Sequence, residues 1–135
     1  MIAEALGPVN NFLETAAVHL FPGRSLTLTQ DLGIELSGSP YATLSKSARF
    51  RVGIAFQFAL AKMAGARLLI IDEADILDPS NRANLVDFLM AVHGDFDTIL
   101  VFATSDHAHA SPVPEIQIWW LEEGQIARVG EKMAA

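Results

Sequence analysis

Apolar positions organise the chain before any motif does. Ile2, Leu6, Val9, Leu13, Ala16, Ala17 and Leu20 recur at three- to four-residue spacing, which predicts a helix over 2–20 with one apolar stripe. "FPG" at 21–23 ends it. "SLTLTQDLGIELSG" alternates apolar and polar residues on both sides of "QDLG", the pattern of a β-hairpin. Helical period returns over 46–64. Val52, Ala55, Phe56, Ala59, Leu60 and Met63 share one face, and Ile54 and Phe58 lie on another, so this helix is expected to be buried on two sides. "RLLIID" is a short, continuously apolar strand of the kind found at the centre of parallel sheets. Pro79 suits the first turn of a helix over 80–92, closed by Gly94. "TILVFAT" is a second buried strand, and "EIQIWWLEEGQIARVG" is a hairpin over 115–130 that turns at "EEG". Trp119 and Trp120 point to opposite faces of it, one toward the core and one toward a missing partner surface. The fold class expected is α/β: a mixed sheet with flanking helices and hairpins. A length of 135 residues suits one domain over 1–135.

Composition narrows this picture modestly. The chain is 51% apolar, which excludes a disordered class. Its net charge of -7 argues against this segment gripping nucleic acid by itself. There are no cysteines, so disulfides and thiolate metal sites are excluded. The longest apolar run carries Gln57, Lys62 and Arg67, which disfavours a membrane span. Glu4 and Pro8 interrupt any secretory signal, and a cytoplasmic location is the default expectation.

The chemistry gathers in "LLIIDEADILDPSNR", residues 68–82. A buried strand that ends in adjacent carboxylates can hold Mg²⁺ with the first and activate a water with the second. Asp72 and Glu73 suit those roles. The plain alternative is that acids follow strands because strands end at the surface. "DEAD" at 72–75 and "ATSD" at 103–106 also resemble helicase motifs, but no helicase motif precedes them.

A different set of motifs covers nearly the whole chain. "LSKS" (44–47), "LLIIDE" (68–73), "LDPSNR" (77–82) and "ILVFATSDH" (99–107) occur in the order of the signature, Walker B strand, D-loop and switch of ABC-type ATPases. With the opening helix, the "LFPG" turn and the hairpin ahead of the signature, the chain resembles the C-terminal half of SMC-type and SbcC-like DNA-repair ATPases. Three departures stand out. Lys46 and Ser47 replace the signature glycines. The spacing from Asp72 to Asp78 is one residue short. Ser105 occupies the switch position, with His107 two residues later.

The resemblance implies that 1–20 ends a coiled coil, that 44–107 carries the site, and that ATP and Mg²⁺ are the cofactors. It implies Asp72 at the metal, Glu73 as base, Ser105 or His107 at the γ-phosphate, and Ser45, Lys46, Ser47 and Asp78 on the ATP of an opposing head. No glycine-rich phosphate loop is present, so the family's N-terminal ATPase lobe is an expected partner. A head-to-head homodimer, DNA and a nuclease subunit are the others implied, with no membrane. Plainer roles stay open: Ser45 as a helix cap, Asp78 as a helix-start acid, and His107 with His109 on an exposed loop. Lys46, Arg49 and Arg51 are expected on a solvated or phosphate-facing surface. A helicase-class fragment and a non-catalytic module of the same fold are the alternative functions.

Overall fold

The computed structural model describes residues 2–130. They form two units, one up to Ala103 and one from Thr104 onward.

The first unit opens with helix α1, Ile2–Leu20. Its buried stripe is Leu6, Leu13, Ala16, Ala17 and Leu20, whereas Ile2 is exposed. Strands β1 (Leu26–Leu28), β2 (Ile34–Leu36) and the short β3 (Ser39–Pro40) follow as an antiparallel sheet. The expected hairpin is present, with Leu26 opposite Leu36 and Leu28 opposite Ile34. Asn10 of α1 fastens this sheet to the helix. Its Oδ1 accepts from Leu28 N (2.8 Å) and its Nδ2 donates to Leu28 O (3.0 Å), so a side-chain amide replaces a strand neighbour at that edge.

Helix α2, Lys46–Ala64, runs from a Ser45 cap to Gly65, whose left-handed φ of 69° ends it. Val52, Ile54, Ala55, Phe58 and Ala59 are buried. Leu60 and Met63 face outward, so the double-sided burial holds for the middle of the helix and not for its last turns. Helix α3, Pro79–Val92, is entered through Pro79 as expected. Its end differs: the chain passes into a 3-10 turn at His93–Asp95, and no left-handed Gly94 closes it. Phe58 is the hub between the three helices, meeting Phe12 of α1 and Phe88 of α3 edge-on at 6.2 and 5.4 Å, with Phe96 tilted beside it.

Strands β4 (Leu68–Ile71) and β5 (Thr98–Val101) pair in parallel, Ile70 opposite Leu100. Two expectations fail here. The described strands make three small separate sheets and not one mixed sheet. Strand β4 is also buried on one face alone: Leu69 and Ile71 are 1% and 2% exposed, but Leu68 and Ile70 are 49% and 42% exposed, and in β5 Ile99 is half-buried while Leu100 and Val101 are both 41% exposed. Side chains alternate across a strand, so an unbroken apolar run needs a layer on each side. The described residues supply one.

In the second unit, β6 (Trp119–Glu122) and β7 (Gln125–Arg128) form the expected hairpin. Glu123 and Gly124 turn it, both at positive φ (49° and 75°), the geometry that matches strand twist in a two-residue turn. Neither tryptophan enters a buried core. Trp119 is 55% exposed, and Trp120 is half-buried with its indole N–H on Glu122.

Candidate functional site

Asp72 and Glu73 leave the carboxyl end of β4, and both are exposed. The backbone there is held from two directions. Phe102 N donates to Ile71 O (2.8 Å), and Ala74 N donates to Phe102 O (3.0 Å), so the end of β5 brackets the acids. Asp72 Oδ1 accepts from Glu73 N (2.8 Å), and Glu73 adopts a left-handed φ of 58°. That conformation costs a non-glycine residue about 1 kcal/mol or more. It ends the strand at this point.

Beside Asp72 lies a groove of about 270 Å³, lined by Phe50, Gly53, Ile54, Gln57 and Ile71. Gln57 Nε2 donates to Ile70 O, so α2 closes the outer edge of β4. One oxygen of Asp72 is engaged, and among the described residues no three metal-ligating side chains cluster. A single free carboxylate oxygen suits Mg²⁺, which is held by one or two carboxylates with phosphates and water.

Ser45 caps α2: its Oγ accepts from Ala48 N at 3.2 Å. Ser45 and Lys46 are exposed. Ser47 is half-buried, and its Oγ has no hydrogen-bond partner. Gly53, midway along the groove, is about 12 Å along the helix axis from Ser45. The structure therefore sets Ser45, at the start of α2, apart from Gly53, which lines the groove beside Asp72.

Asp78 caps α3, with Oδ1 accepting from Asn81 N (2.8 Å) and Oδ2 from Asn81 Nδ2 (3.1 Å). Its plain structural role is thus realised. Arg51 departs from expectation. It turns inward from the basic group of Lys46 and Arg49, donates from Nη1 to Leu20 O (2.8 Å) and lies 4.4 Å over the Phe21 ring. Burial lowers its pKa, and the nearby Asp78 charge opposes that shift. Periodicity carries no sign of this lock between α1 and α2. In the second unit, Ser105 Oγ lies 2.7 Å from His109 Nε2, while the His107 ring lies tilted by 46° against that of His109, with centroids 4.3 Å apart.

Among the described residues no helix is long and apolar enough to cross a membrane. No protein-family model matches the chain, and no curated protein matches it. A solved chain from structural work on SMC ATPases, described there as dimerising under ATP and activated by DNA, superposes with a TM-score of 0.67 at 17% identity. The match covers 93% of this chain and 84% of that one, so the two are of similar length. The chain has the α/β fold of an SMC-type ATPase structure.

Proposed function

We propose that this chain is the C-terminal lobe of an SMC/SbcC-like ATPase head, inactive alone and able to hydrolyse ATP when joined to an N-terminal lobe that brings the phosphate loop. The observation that carries this reading is the uncovered apolar face of the β4–β5 pair, with β4 running out into Asp72 and Glu73. Half a layer and half a site coincide. The fold match to an SMC ATPase chain of similar length supports the reading over a helicase fragment.

In the assembled head, Asp72 would hold Mg²⁺, which neutralises phosphate charge. Glu73 accepts the proton of the attacking water as general base. Ser45, with the free amides of the first turn of α2, binds the γ-phosphate of an ATP held by the opposing head. Lys46 and Ser47 flank that contact, and Asp78 lies at the seam between heads. Ser105 is the phosphate contact of the segment after β5, in preference to His107. The head dimer acts on DNA in repair or recombination, with a nuclease subunit as a further partner.

Calorimetric titration of the lone chain with ATP tests the lobe assignment. No binding in the micromolar range is expected, and micromolar affinity would overturn it. Glu73→Gln in the head assembled with its N-terminal lobe tests the base. Turnover is expected to fall on the order of 10²–10⁴-fold with ATP-dependent dimers retained. Full turnover there would leave Glu73 as an ordinary strand-end acid.

A further inference from the structure

The segment after β5 carries polar chemistry of its own. Ser105 is half-buried, His107 and His109 are exposed, and Ser105 Oγ lies 2.7 Å from His109 Nε2. A hydroxyl both accepts and donates, whereas a protonated imidazole only donates. When His109 Nε2–H donates to Ser105 Oγ, the hydroxyl proton is released to point at another acceptor. The imidazolium charge then polarises that O–H, and such a charge-assisted chain binds an anion better than a lone hydroxyl does. His107 lies tilted against His109 at 4.3 Å between ring centroids. Asp106, next to Ser105 in sequence, opposes an anion, so the pair is expected to bind inorganic phosphate weakly.

We propose that Ser105 and His109 act as one phosphoryl-binding pair, in which the Ser105 hydroxyl contacts the phosphoryl oxygen and His109 positions and charges that hydroxyl. This rests on reading the segment as the switch of the ATPase, and it makes His109, not His107, the imidazole that serves it. A histidine four residues beyond Ser105 would then act on the phosphoryl group through the serine hydroxyl.

The test uses the full 135-residue chain with ¹⁵N-labelled histidine. Imidazole titrations are followed by two-bond ¹H–¹⁵N NMR in chloride and in inorganic phosphate at equal ionic strength. Phosphate should raise the His109 midpoint by about half a unit, because an adjacent anion favours the protonated ring, and should raise that of His107 less. Ser105→Ala should abolish the difference, and Ser105→Thr, which keeps the hydroxyl, should restore it. An equal rise at both histidines, a rise that survives Ser105→Ala, or no rise at all would overturn the pair. Each of those outcomes leaves the Asp72–Glu73 assignment standing, since Glu73→Gln turnover in the assembled head tests that separately.

Discussion

The two faces of the β4–β5 pair are made of the same kinds of residue and live in different environments. Leu69 and Ile71 look into the core that α1, α2 and α3 build around Phe58. Leu68, Ile70, Leu100 and, one alternation further, Phe102 look outward, each between 41% and 52% exposed. A strand that serves one core alone would carry polar residues at alternate positions. None stands at 68, 70 or 100, and Thr98, opposite Leu68, is the polar residue of that face, so the pattern suits a layer on each side of the pair, of which the described residues supply one.

The largest effect should come from the hub of the covered side. Phe58→Ala removes the ring that Phe12, Phe88 and Phe96 pack against, and should cost about 3–5 kcal/mol in denaturant unfolding. A loss near zero would mean that the three helices do not share one core.

The two faces can then be set against each other directly. Leu69→Ala should cost about 2–4 kcal/mol, while Ile70→Ser should stay within roughly 0.5 kcal/mol in the lone chain. Once the N-terminal lobe is bound, Ile70→Ser should instead weaken that association, read by titration of one lobe into the other. Equal destabilisation by both substitutions in the lone chain would abolish the contrast between the faces.

A smaller cost is expected at Asn10. Asn10→Ala leaves the part-buried N–H and C=O of Leu28 without their partner, and should cost about 1–3 kcal/mol by thermal unfolding. Asn10 also shows where sequence stops being legible. The α1 stripe, the hairpin around Asp31–Leu32, the ends of α2 and the Glu123–Gly124 turn all follow from local period or turn chemistry. The Asn10 amide, the turn of Arg51 onto Leu20 and the Ser105–His109 bond are made by polar side chains whose partners no period specifies. The bare face was hidden for another reason. Apolar strands look alike whether their cover comes from the same chain or from another. At the site, the order of motifs pointed to Asp72, Glu73, Ser45 and Asp78, and the structure adds the left-handed Glu73 and the bracket from Phe102, which depend on β5 arriving beside β4.

The smallest effect belongs to the far end of the same strand pair. Arg67 donates from Nη2 to Asp97 Oδ1 at 2.8 Å and from Nε to the same oxygen at 3.2 Å, and these bonds hold the Asp97 carboxyl below its ordinary pKa of 3.8. A depressed carboxylate stabilises the fold above its unfolded pKa, and that contribution fades as pH falls through the lower folded value. Both side chains are well exposed, so water and salt screen the pair. The backbone also closes this end without it, since Asp97 N donates to Arg67 O at 2.8 Å. Asp97→Asn should therefore lower the melting temperature slightly at pH 7 in low salt. The gap to wild type should shrink in high salt, and should narrow below pH 3.8 and close as pH falls through the lower folded value, where the native carboxyl too becomes neutral. A gap that persists in strong acid would mean that Asp97 acts through its shape and neutral hydrogen bonds. A gap as large as that of Leu69→Ala would mean that the open end of the sheet depends on charge as much as its core face depends on packing.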